Sequence, residues 1–221
     1  MERVLIFGDT MFSKEMMNYI LGHKDDYEIV GFTLDKNYIK QKKFCGFNVY
    51  PFEELNDYFD MSDVGIILAI GYHEMNDHRE KVFNECKKRN YRIASYIDKS
   101  VINYAKEIGE GNIILDFVQL RHDCVIGNGN IIKGTSDIAH DAIVGDFNYF
   151  AGLCHIGGAV KIGNKNFLGI SCIIKNEVEV GYKNVIGAAV YLPKDLDKFI
   201  VVSPSQNRYV QVNEKRVGMF L

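Results

Sequence analysis

A chain of 221 residues that is 47% apolar with a net charge of −3 can bury one or two cores without disulfide staples. Acids and bases are mixed along it, so no basic stripe marks a nucleic-acid or anionic-membrane partner, and neither is expected. Its cysteines (Cys45, Cys86, Cys124, Cys154, Cys172) show no C-x-x-C spacing and no apolar run nears the ~18 residues of a membrane span, so the expectation is a cytoplasmic protein with reduced thiols.

The chain opens with an apolar run over residues 4–7 ending at Gly8, then helical spacing over 11–21. That reads as strand, turn and helix. A second β-rich run covers 27–34 and stops at Asp35, a short strand is expected over 46–50, and Pro51 with Phe52 opens a short helix. Residues 64–70 form a continuous apolar strand of the kind covered on both faces, ending at Gly71-Tyr72. An amphipathic helix over 75–88 and a strand over 91–97 complete the alternation. Residues 1–97 are therefore expected to form a small Rossmann-like parallel-sheet domain, and 98–221 a second domain.

From Ile108 to Leu192, each position six residues after the last is apolar, fifteen in succession, a run with a chance probability on the order of one in 100,000 at this composition. Gly and Asn recur every eighteen residues on top of it, from Gly109 and Asn112 to Gly181 and Asn184. Hexads grouped in threes predict a left-handed parallel β-helix with three short faces per coil. Side chains alternate along a strand, so the residue two before each apolar one also points inward. Small groups fill that place: Val118, Cys124, Ser136, Ala142, Cys154, Val160, Cys172 and Val178. The Asn residues share it and can hydrogen-bond up a ladder. The Gly residues are expected to serve turns of positive φ. After Leu192 the repeat ends; residues 193–197 leave it, and 199–205 are expected to close the open end. The tail from Gln211 shows no pattern.

Ligands of an open parallel sheet bind beyond the carboxyl ends of its strands, where Gly8, Asp35 and Gly71 fall. The turn Gly8-Asp9-Thr10-Met11-Phe12-Ser13 holds one glycine, which argues against a dinucleotide and leaves a mononucleotide open. Asp35 could accept hydrogen bonds from a base or ribose, and a helix beginning near His73 could offer its first amides to a phosphate. Equally, Asp35 can be a polar strand end and Gly71 a turn. In the second part His122 and His140 stand eighteen apart, on the same outward corner of successive coils, each followed by an aspartate, and Gly158 is next in that column. A carboxylate can orient an imidazole for general-base work, and a solvated surface histidine is the plainer alternative. His155 faces outward from a strand. No group of converging ligands suggests a metal.

With the hexads and the sheet domain before them, the segments from Ile138 through His140-Asp141 to Asp146 and from Gly157-Gly158 to Gly163 resemble the sugar acyltransferase family. That family includes nucleotide-sugar N-acetyltransferases of amino-dideoxyhexoses and sialic acid O-acetyltransferases. The resemblance implies His140 as general base, Asp141 as its support, and the Gly158 amide as donor to the thioester carbonyl of acetyl-CoA. Ile170 and Ala188 match positions along which the coenzyme lies. Gly8, Asp35, Lys36, Gly71 and Tyr72 match positions that hold the nucleotide sugar. A homotrimer with each site between two β-helices is also implied, as is a place in surface glycan biosynthesis. The chain departs from relatives at Asp9-Thr10-Met11, where a richer glycine turn is common. It departs again at Tyr149, where some carry a second histidine; a tyrosine there could contact coenzyme but cannot be a base at neutral pH. The expected activity is N-acetylation of a nucleotide-linked 4-amino-4,6-dideoxyhexose. The alternatives are a sugar or sialic acid O-acetyltransferase and, from another class, a non-catalytic trimer that binds nucleotide sugars.

Overall fold

The computed structural model describes residues 1–22 and 26–204. Its first part runs β1 (Glu2–Phe7), α1 (Met11–Gly22), β2 (Tyr27–Leu34), β3 (Lys43–Phe44), β4 (Phe47–Pro51), β5 (Val64–Leu68), α2 (Asp77–Lys88) and β6 (Arg92–Ile93). The sheet order is β3-β4-β2-β1-β5-β6, parallel apart from the β3–β4 hairpin. β5 is buried at every position, as its unbroken apolar run requires.

Two elements differ from the sequence reading. The strand expected over 91–97 divides: Arg92–Ile93 extends the sheet beside Gly65 and Ile66, whereas Tyr96–Ile97 pairs with Ile113–Ile114 in the repeat. The chain thus passes from sheet to coil across Ala94 and Ser95. The helix expected from 75 begins at Asp77, because Glu74, Met75 and Asn76 take left-handed φ of 54°, 52° and 65° and turn the chain before it.

The second part is a three-sheeted left-handed parallel β-helix whose strands pair with those eighteen residues away, as in Ile113 with Ile131, Gln119 with Asp137 and Val125 with Ile143. The sixth-residue set from Ile114 to Leu192 and the small residues two before them form one interior. The Asn ladder is present: Asn148 Nδ2 donates to Asn130 Oδ1 and Asn166 Nδ2 to Asn148 Oδ1, both at 3.1 Å.

The recurring glycines work differently from the expectation. Left-handed φ falls elsewhere in each hexad, at Phe117, Asp123, Thr135, Asp141, Phe147 and onward, with Gly111 and Gly129 in the same register. Gly109, Gly127, Gly145, Gly163 and Gly181 are instead required by close approach of coils: a Cβ on Gly127 would lie 2.7 Å from the Gly145 carbonyl oxygen.

The last coil is two residues shorter, since Val180 bridges Leu196 and Val185 pairs with Val201, a sixteen-residue step. Val201–Val202 adds a final strand to one face. Ser205 and the tail from Gln211 lie outside the described residues.

The two parts share a core. Ile113, Ile131 and Tyr149, outward-facing on the β-helix, pack with Val4, Ile6, Met16 and Phe32. On the other side Phe83 of α2 meets Phe147 edge to face at 5.3 Å. Arg79, fully buried, ties the seam by donating to the carbonyls of Ile70 (3.0 Å), Gly71 (2.9 Å), Gly129 (2.7 Å), Phe147 (3.0 Å) and Asn148 (3.1 Å). Asp77 adds ion pairs to Lys165 at 2.9 Å and Lys183 at 2.7 Å.

Candidate functional site

Each coil turns at the residue two past the inward one, and turn residues eighteen apart stack into a column. One column carries Tyr104, His122, His140, Gly158 and Asn176. Its geometry centres on His140. Asp141 takes the left-handed φ of 57° that the corner demands, a conformation Asp tolerates better than most residues. This brings its Oδ2 within 2.8 Å of His140 Nδ1. With Nδ1–H donating to the carboxylate, Nε2 keeps its lone pair free to take a proton. Both side chains are about two-thirds exposed, so the pair orients the ring more than it stabilises the fold.

Nε2 lies over Gly158, where a Cβ would be only 2.7 Å from it. Glycine is therefore the residue that lets an imidazole close over the next coil. The Gly158 N–H donates to Asn176 Oδ1 at 3.1 Å. A nucleophile approaching Nε2 and an acceptor on the Gly158 amide would be adjacent, which is the arrangement that acyl transfer needs.

His122 is engaged elsewhere, stacked on Tyr104 with ring centroids 4.5 Å apart. His155 is exposed on a strand between Asp137 and Ile173. Ile170 and Ala188 stack on a neighbouring corner, joined by the Ala189 N–H to the Ile170 carbonyl at 2.8 Å, and the Ile170 side chain is half exposed. No three His, Cys, Asp or Glu side chains gather as a metal site among the described residues. Nor, among them, is any helix long and apolar enough to cross a membrane.

A cleft of about 400 Å³ opens at the carboxyl ends of β1, β2 and β5. Gly8, Asp35, Gly71 and Tyr72 all line it. Lys36 is not among its lining residues; its ammonium pairs with Glu54 at 2.5 Å and its N–H donates to Glu53 at 2.9 Å. Gly8 needs its φ of 126°, and a Cβ there would meet Ser13 Oγ at 2.4 Å, so the start of α1 sits against the cleft wall. α2 does not offer its first amides near His73 as expected, because it starts at Asp77 and that residue faces Lys165 and Lys183 on the β-helix. Burial, and after it the Glu53 carboxylate, raises the Asp35 carboxyl above its usual range.

Sequence reasoning missed Lys40 and His78 in the cleft and Arg79 behind it, and took His73 only as a helix start, not as a side chain lining the cleft. No local pattern marks them; the fold alone brings them there. Tyr149, which the sequence leaves open as a coenzyme contact, lines this cleft, packed against Tyr72 at 5.1 Å and stacked on Phe167 at 5.5 Å. Burial pushes its hydroxyl up to about 12. Burial also lowers the Arg79 guanidinium to about 9, and its carbonyl partners carry no compensating charge.

A small α/β sheet docked on a left-handed β-helix is a fold this chain shares with solved sugar acetyltransferases. The chain shares that architecture with perosamine N-acetyltransferase from Caulobacter crescentus, solved as a His-to-Asn mutant with CoA and GDP-perosamine. The match has 19% identity, 90% of this chain and 91% of the other covered, and a TM-score of 0.79. The acetyltransferase domain of PglB from Neisseria gonorrhoeae, solved with acetyl coenzyme A, matches at 18% identity with 93% and 98% covered and a TM-score of 0.79. WeeI from Acinetobacter baumannii matches at 19% identity with 91% and 96% covered and a TM-score of 0.80. Residues 1–73 match the family model described as C2185-like, N-terminal. No curated protein matches the chain by sequence.

Proposed function

We propose that the chain is an acetyl-CoA-dependent N-acetyltransferase of a nucleotide-linked 4-amino-4,6-dideoxyhexose. In this reading it works as a cytoplasmic homotrimer in surface glycan biosynthesis. Residues 1–97 hold the nucleotide sugar and 98–221 carry out the transfer. The observation that carries the reading is His140, fixed by Asp141 at 2.8 Å and seated with Nε2 over Gly158.

The sugar amine attacks the thioester carbonyl carbon while Nε2 of His140 takes its proton. The resulting imidazolium is stabilised by Asp141. The carbonyl oxygen gains negative charge and accepts from the Gly158 N–H. Collapse expels the coenzyme thiolate, which receives the proton, and leaves the amide. The exposed Ile170 side chain and Ala188, one above the other, offer a surface along the coils for the pantetheine arm. Gly8, Asp35, Gly71 and Tyr72 hold the nucleotide; Asp35 accepts from base or ribose. Lys36, next to Asp35 at the cleft edge, belongs to the same reading, with its ammonium on Glu54 and its N–H on Glu53. The solved relatives with CoA and GDP-perosamine, or with acetyl coenzyme A, support donor and acceptor class.

Thiol release from acetyl-CoA with a panel of nucleotide-linked amino sugars, beside their hydroxyl counterparts, tests the reading. Turnover is expected with an amino sugar. Turnover confined to a hydroxyl sugar would replace it with an O-acetyltransferase.

A further inference from the structure

The Gly158 amide already has an acceptor. On the corner that carries Asn128, Asp146 and Asn164, each side-chain oxygen accepts the N–H of the residue one coil earlier: Glu110 at 2.9 Å, Asn128 at 2.6 Å and Asp146 at 2.8 Å. Such rungs satisfy turn amides that no strand pairing reaches. On the corner of His122, His140 and Gly158 the chain places imidazoles and a bare glycine. There an oxygen acceptor returns at Asn176, on the Gly158 N–H and at a longer 3.1 Å. This rung faces the base, since His140 Nε2 stands 2.7 Å from where a Gly158 Cβ would be.

A thioester oxygen cannot use this amide while Asn176 holds it. Asn176 is exposed, so its carboxamide can turn into water, and the buried Gly158 N–H that it leaves is paired again by the incoming thioester oxygen. We infer that Asn176 is a positioning residue whose side-chain oxygen keeps the Gly158 N–H aligned and is exchanged for the thioester oxygen when acyl-coenzyme A binds. The inference rests on the acyltransferase reading above. Exchanging one neutral acceptor for another gives the ground-state thioester little net gain. The charged oxygen of the transition state gains more, because hydrogen bonds to ionised acceptors are stronger. Breaking the Asn176 bond costs the bound thioester and the transition state alike, so Asn176 weakens acyl-coenzyme A binding without raising the barrier between the two.

The test compares acetyl-CoA with CoA, which has the same arm and no thioester carbonyl, by titration calorimetry on the whole chain. Asn176→Ala frees the amide and should tighten acetyl-CoA by roughly 2- to 10-fold while leaving CoA unchanged. Asn176→Asp supplies a charged acceptor that holds the amide harder, and should weaken acetyl-CoA relative to CoA. A purely structural rung would move both ligands together, and that result, or selective weakening of acetyl-CoA in Asn176→Ala, overturns the exchange. If the unaltered chain binds neither ligand, the acyltransferase reading itself fails and this inference falls with it. Binding of both ligands with variants that do not discriminate removes the exchange alone.

Discussion

At the scale of single residues, the candidate chemistry depends on what each side chain is denied. His140 has a carboxylate at one nitrogen and a glycine under the other, so its ring has one useful orientation. Asp35 is the second case. Its folded-state proton affinity is raised by burial and by Glu53, so the fold binds that proton more tightly than the unfolded chain does. The sign follows: its contribution to stability is full below the ordinary value of 3.8 and is lost as pH rises through the folded value. Ionised Asp35 at neutral pH is thus a cost to stability. Asp35→Asn should melt at a higher temperature than the parent at pH 7, with the difference vanishing in acid, while nucleotide binding weakens. Thermal scans across pH with a parallel nucleotide titration check both halves. Equal or lower stability at pH 7 would contradict the electrostatic account.

At the scale of elements, the β-helix repeats one coil with a fixed clearance. The glycines after Ile108, Ile126 and Val144 keep ordinary φ and owe their identity to the carbonyl of the next coil. Gly127→Ala should therefore cost about 1–3 kcal/mol through overpacking, read as a lower denaturation midpoint; an unchanged midpoint would show that the coils can separate freely. This is also where the sequence was readable and where it was not. The sixth-residue apolar set, the small inward residues and the Asn ladder were legible because period and polarity report directly on which way a side chain points. The His140-Asp141 corner and Gly158 could be placed in one column by counting eighteens. The reason for the glycines was not legible, since close approach depends on the pitch between coils and not on the hexad itself. The break in the strand over 91–97 was hidden for a similar reason: Arg92–Ile93 and Tyr96–Ile97 read alike, and only their partners differ. His73 and His78 reach the cleft through the left-handed turn at Glu74, Met75 and Asn76, which no glycine announces.

At the scale of the molecule, the two parts are held at a fixed relation by Arg79, which spans from the cleft wall at Ile70 and Gly71 to Phe147 and Asn148, on the coil that follows the His140 corner. Arg79→Met removes the side-chain donor from those carbonyls, of which Asn148 keeps the Ile131 N–H at 3.0 Å, and should cost more than ~3 kcal/mol, measured by denaturant unfolding; Arg79→Lys, with fewer donors, should fall between. A loss below ~1 kcal/mol in Arg79→Met would mean the seam is held by its apolar contacts alone. The central claim concerns the coil so positioned: that His140 takes the proton of the acceptor above the Gly158 amide. The most direct measurement is single-turnover acetyl transfer from acetyl-CoA to a nucleotide-linked amino sugar by the parent chain and by His140→Asn, with binding of both substrates measured alongside. The account predicts intact binding and a rate lower by ~10²–10⁴-fold in His140→Asn. Near-parental transfer by that variant with binding intact would contradict it.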